Sequence, residues 1–139
     1  MPIRPPNTRL GRREPDLQLI QGTPAAIADL IQTLDRRLAD EERPSERLRM
    51  LREATNQITR SANDAIQAYR RTRAAVTAEL AMPTGDWKHA KRMSAELTVA
   101  RQDVLKALEE TSRRYPTVAE EAPGLAIDAA KLTAESVSS

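Results

Sequence analysis

The stretch from about residue 46 to 82 constrains this chain most, because no glycine or proline interrupts it. Within it Leu48, Leu51, Thr55, Ile58, Ala62, Ala65, Tyr69, Thr72, Val76 and Glu79 recur at alternating spacings of three and four. Seven of those ten residues are apolar, and Ile66 and Leu80 widen the stripe. Such spacing lines up one face of a helix over several heptads, which suits a coiled coil or helical bundle. A strand repeats every two residues and could not carry the pattern. Small Ala62 and Ala65 permit close helix approach at mid-span, whereas Thr55 and Thr72 weaken the seam.

The flanks extend the helical reading. Thr23-Pro24 has the form of an N-cap followed by proline in the first turn. Ile27, Leu30, Ile31, Leu34 and Leu38 then mark one apolar face running to about Glu42. Arg43-Pro44-Ser45 breaks that helix and supplies the next cap. A connection this short makes 23–82 an antiparallel helical hairpin with coiled-coil character. Pro83-Thr84-Gly85-Asp86 breaks the chain again, with Asp86 as a cap, and Tyr115-Pro116 ends a third helical segment within 83–115. The expected fold class is all-α, a long hairpin followed by this third segment, with a flexible arm and tail. Residues 1–22 form the arm, in which Pro2, Pro5, Pro6 and Pro15 oppose continuous helix and Arg4, Arg9, Arg12 and Arg13 supply charge. Residues 116–139 form an acidic tail, with a short helical stretch expected at 125–135.

What the core is made of bears on partners. The chain has no Phe, one Trp and two Tyr among 139 residues, and much of its 40% hydrophobic content is alanine. Alanine buries little area and aromatics bury most, so the core is thin for this length. A homo-oligomer or a larger protein complex is therefore expected. The 22 basic and 20 acidic residues nearly cancel to +2, so net charge alone does not argue for nucleic acid. Distribution says more: Glu120, Glu121, Asp128 and Glu135 against Lys131 leave the tail at −3. Basic excess collects in the arm and around 88–106.

Function classes fall away in turn. The chain contains no cysteine, so disulfides, thiolate nucleophiles and cysteine zinc sites are excluded. Its single histidine, His89, stands among Lys88, Lys91 and Arg92 and reads as a solvated surface residue. The four glycines are scattered, with no phosphate-cradling loop. We expect no enzyme activity, no catalytic or metal-ligating residues, no cofactor and no small-molecule substrate. No run approaches the ~20 apolar residues of a membrane span. The N-terminal sequence lacks a signal-peptide pattern, and the expected location is cytoplasmic.

One motif stands out. Met93, Ser94, Leu97, Val99 and Val104 occupy, in order, the apolar and small positions that seat the two helices of a helix-turn-helix, and Leu108 continues the seat. Here the chain resembles, over about twenty residues, the helix-turn-helix of sigma-factor region 4 and the small bacterial regulators that share it. The family's run of leucine, glycine, valine, serine and arginine, often then glutamine, stands here as Leu97-Thr98-Val99-Ala100-Arg101-Gln102, with Thr98 in place of the turn glycine. The resemblance implies a dimeric regulator of transcription bound to duplex DNA. Ala100, Arg101 and Gln102 would approach base edges in the major groove, and Lys88, Lys91, Arg92 and Lys106 would contact phosphates. A second reading stays open. Ala90, Met93, Leu97, Ala100, Val104, Ala107 and Thr111 also follow a heptad, so 87–114 could be one straight helix completing a bundle. The chain would then be a non-catalytic structural or adaptor protein, such as a phage assembly component or a subunit of a larger complex.

Overall fold

Two buried side chains decide where the first helix begins. A computed structural model of the chain describes residues 15–116, and in it α1 spans Pro15–Asp40, running straight through Pro24. The expected start at Thr23-Pro24 is corrected: eight residues assigned to the arm are helical, and residues 1–14 lie outside the described region. An internal proline costs a helix about 3 kcal/mol. Leu17 and Ile20 are fully buried in the main core, each contributing about 1.5–3 kcal/mol. Together they outweigh the proline. Thr23 does not act as a cap; its hydroxyl donates to the Leu19 carbonyl at 2.8 Å within the helix.

The second helix, α2, spans Pro44–Ala81, and the third, α3, spans Trp87–Arg114. Pro44 takes the first helical position after Arg43, whose extended backbone (φ −73°, ψ 119°) forms the N-cap with no side-chain capping bond. Ser45, expected as the cap, lies inside the first turn. Arg47 closes the α1–α2 turn by donating Nη1 to the carbonyls of Leu38 (2.5 Å) and Glu41 (2.8 Å). At 1.5 Å per residue the helices measure about 39, 57 and 42 Å. They pack as an up-down-up three-helix bundle, each helix touching the other two. Among the described residues there is no strand.

The heptad readings hold through most of the bundle. On α2, Ile58, Ala62, Ala65, Tyr69 and Val76 are buried as the register requires, joined by Ile66 and Ala68. Leu48 and Leu51 are only partly buried. Ala62, Ala65 and Ala68 are almost completely inaccessible, so the helices meet closely at mid-span through small side chains. The threonines differ from one another. Thr55 returns its hydroxyl to the Leu51 carbonyl at 2.7 Å, whereas the buried Thr72 hydroxyl has no partner.

A smaller cluster of Leu34, Leu38, Met50 and Ala54 sits near the α1–α2 turn. Leu51 and Tyr115 pack against both this cluster and the main core. Arg114 pairs with Asp35 and ties the end of α3 to α1.

Candidate functional site: the α2–α3 end and the outer face of α3

Residues 87–114 form one unbroken helix, and this corrects the helix-turn-helix expectation. A turn near Thr98 would require the helix hydrogen-bonding to lapse there. Instead Thr98 is helical, and its hydroxyl donates to the Ser94 carbonyl at 3.0 Å, an ordinary turn-back contact. The heptad alternative is the one realised: Ala90, Met93, Leu97, Ala100, Val104 and Thr111 are buried, Ala107 is partly buried, and Leu108 beside it joins the buried face. Val99, which the motif required as a core residue, is 56% exposed.

Straightening the helix divides the seven expected contact residues. Ala100 (2% exposed) and Arg101 (8%) turn inward and cannot approach a groove. Lys88, Lys91, Arg92, Gln102 and Lys106 remain exposed. Their spacings of three and four put them on one outer stripe with Ala95 and Val99, about 27 Å long. Arg101 shares its inward flank with Leu97 and Leu108, four and seven residues away, and makes no ion pair among the described residues. Nothing in its immediate sequence marks it as buried.

The end where α2 meets α3 is built as a rigid knot. Met82 N–H donates to the Glu79 carbonyl (3.2 Å), and Gly85 N–H to the Met82 carbonyl (3.1 Å). Glu79 is 3% exposed, and its Oε1 accepts the Asp86 N–H at 2.6 Å, so a buried carboxylate links the helices. Asp86 then caps α3, its Oδ1 accepting the His89 N–H at 3.1 Å, as its position in the sequence suggested. A β-carbon on Gly85 would strike the Glu79 carbonyl oxygen, so the turn requires glycine for space rather than for unusual dihedrals.

On this knot sits an apolar surface. Trp87 donates its indole N–H to the Met82 carbonyl at 3.0 Å, which staples the turn, yet 53% of the residue stays exposed. Met82, whose carbonyl takes that bond, and Leu80 at the end of α2 are also exposed. Lys88, Lys91 and Arg92 follow directly, and none of the three makes an ion pair among the described residues. The only acidic residue between 80 and 95 is Asp86, already engaged as the cap. His89, expected on the solvated surface, is half-buried. Its Nδ1 lies 3.1 Å from Arg92 Nη2, and its Nε2 is shielded with no partner among the described residues. Sequence reasoning missed the grouping of Leu80, Met82 and Trp87, because it depends on which faces of two helices emerge at a turn.

Among the described residues no group of three or more His, Asp or Glu is placed to hold a metal ion. No helix among them is long and apolar enough to cross a membrane. Compared with protein-family models, with characterised proteins and with solved structures, the chain matches none.

Proposed function

We propose that this chain is a non-catalytic helical packing module whose α2–α3 end receives an acidic protein segment bearing an apolar anchor. The observation carrying this reading is the juxtaposition of exposed Leu80, Met82 and Trp87 with Lys88, Lys91 and Arg92 on a rigid turn. Exposed aromatic and methionine side chains are typical interface anchors, and a ring of charge of one sign selects an oppositely charged partner. The bound turn would change little, because its hydrogen bonds are already made.

A second reading keeps duplex DNA as the partner, in a regulator or an architectural protein. What favours it is the outer stripe of α3, where Lys88, Lys91, Arg92, Gln102 and Lys106 lie on one face. A straight helix presenting such a stripe along its side would contact phosphates more than bases, so sequence preference would be weak.

Trp87 is the sole tryptophan, so its fluorescence reports directly on the proposed site. Acidic amphipathic peptides and random-sequence duplex DNA would be titrated against the full chain while Trp87 emission is followed. On the packing-module reading, peptide shifts the emission to the blue, and Lys88→Glu/Lys91→Glu removes the shift. On the DNA reading, duplex binds with a strong salt dependence that Gln102→Ala/Lys106→Ala reduces, and peptide has no effect. Silence towards both ligands at low salt would refute both readings.

A further inference from the structure

The face of the α1–α2 hairpin turned away from α3 carries an open groove, about 670 Å³ at its deeper part. Its floor is largely apolar: Leu30, Leu34, Met50 and Ala54 line the deeper part, and Leu19 and Ala26 carry it towards the start of α1. Leu19 is 44% exposed there. Gly22 also opens onto it, and a β-carbon added at Gly22 would meet nothing within 4 Å. The bundle itself therefore gives no packing reason for a glycine in mid-helix, whereas a closely approaching second backbone does.

We propose that this groove seats a second copy of the chain running in the same direction, the two hairpins face to face with α1 of each over α2 of the other. Charge selects that occupant. The ion pairs Arg37–Glu53 and Asp16–Arg71 fix the register of α1 against α2. On that register Asp29 of α1 and Arg60 of α2 stand at the same level on opposite walls of the groove. Both are exposed, and neither makes an ion pair among the described residues. A two-fold axis running between the copies parallel to the helices lays α1 of each over α2 of the other, and so brings Asp29 of each copy against Arg60 of the other, giving two reciprocal pairs from one self-complementary surface. An unrelated acidic or basic segment would satisfy one wall and be repelled by the other.

Size sets the expected strength. The groove runs about 27 Å from Leu19 to Arg37 and is about 20 Å wide across two helices, so a paired face buries on the order of 1,000 Å² in total. That is the lower bound for a specific interface and predicts a reversible dimer with a Kd of order micromolar rather than an obligate one. This surface shares no residue with the α2–α3 end, so either proposal can fail without the other.

The test is sedimentation equilibrium on the full chain over about 1–300 µM, a range that brackets the expected Kd. Wild type is expected to dimerise. Ala26→Trp and Asp29→Arg, both at exposed positions, should weaken the dimer at least about tenfold, with helicity and low-concentration melting unchanged. Asp29→Arg combined with Arg60→Asp should restore association. A monomeric wild type across the range would overturn the proposal. So would a dimer indifferent to Ala26→Trp and Asp29→Arg, or one lost on Trp87→Ala alone. Were wild type monomeric and Ala26→Trp destabilising, the groove would belong to another segment of the same chain.

Discussion

The two ends of the bundle are made from similar residues and leave different surfaces exposed. At the α1–α2 end, many of the charges are paired. Glu41 accepts from Arg43, Arg49 pairs with Glu46 and Glu53, Arg37 lies 3.9 Å from Glu53, and Arg114 and Arg113 pair with Asp35 and Glu110. Arg47 covers the last carbonyls of α1, and Tyr115 packs across the small apolar cluster beneath. At the α2–α3 end the backbone is equally well tied, yet the side chains are not. Trp87, Met82 and Leu80 face outward, and three cations make no ion pair among the described residues. Exposed ion pairs contribute little stability each, so the first end is not thereby much stronger. What differs is the unsatisfied surface. An end whose charges are paired within the chain offers a partner little, whereas the other retains both apolar area and net charge.

The sharpest way to break this comparison is at Gly85. If the α2–α3 end is a preformed platform, Gly85→Ala must push its new methyl against the Glu79 carbonyl and open the knot. We expect a loss of about 2–3 kcal/mol, as for other forced overpacking, read as a fall in the denaturant midpoint. A loss under about 0.5 kcal/mol would mean that the turn yields freely and is no rigid platform.

Arg101 sharpens the comparison from inside the bundle. The helix-turn-helix resemblance implies a base-contacting residue here, yet Arg101 is almost buried with no ion pair among the described residues. A desolvated guanidinium is unfavourable, and an apolar residue of similar length is often tolerated better. Arg101→Met should raise stability by about 1 kcal/mol and leave DNA binding, if present, unchanged. A drop in stability would show that the guanidinium does more than burial allows.

That residue also marks where the sequence stopped being legible. The long heptads of α2 and α3 were readable because each needs only its own spacing. The helix-turn-helix resemblance arose because Met93, Leu97 and Val104 satisfy a straight heptad and a bent motif equally well. Val99 and Ala100 distinguish the two: the bent motif buries Val99 and exposes Ala100, the straight heptad does the reverse, and which holds depends on the helices packed alongside. Pro24 misled for a related reason: local chemistry favours a helix start there, but the burial of Leu17 and Ile20 is a long-range effect. The exposed group at the α2–α3 end was unreadable in the same way, since Leu80 and Trp87 belong to different helices.

Arg47 probes the closed end. Replacing it with Met keeps the stem and removes both hydrogen bonds to the Leu38 and Glu41 carbonyls. Because these carbonyls lie near the surface, water can take over part of the role, and we expect a loss of about 1 kcal/mol by chemical denaturation. Trp87 emission should not move, since the change lies at the opposite end. A shifted emission would mean that the two ends are coupled.

The smallest effect is the most local. Arg43 donates to Glu41 from its backbone N–H (3.0 Å), Nε (2.8 Å) and Nη2 (3.3 Å). The side-chain bonds to Arg43 come first, with the backbone bond next, in holding the Glu41 carboxyl down from 4.5 to about 2. Glu46 is lowered in the same direction, chiefly by its hydrogen bond from Arg49. A carboxyl depressed in the folded state contributes stability above its unfolded value, and that contribution is lost as pH falls through the folded one. The closed end should therefore weaken as pH drops from 4.5 towards 2. Both groups are open to solvent and screened by salt, so the effect is small and should shrink as ionic strength rises. Melting temperature against pH for wild type and Glu41→Gln isolates it: the two curves should be furthest apart above pH 4.5 and converge towards pH 2. Parallel curves would show that the Glu41–Arg43 clasp contributes nothing to closing that end.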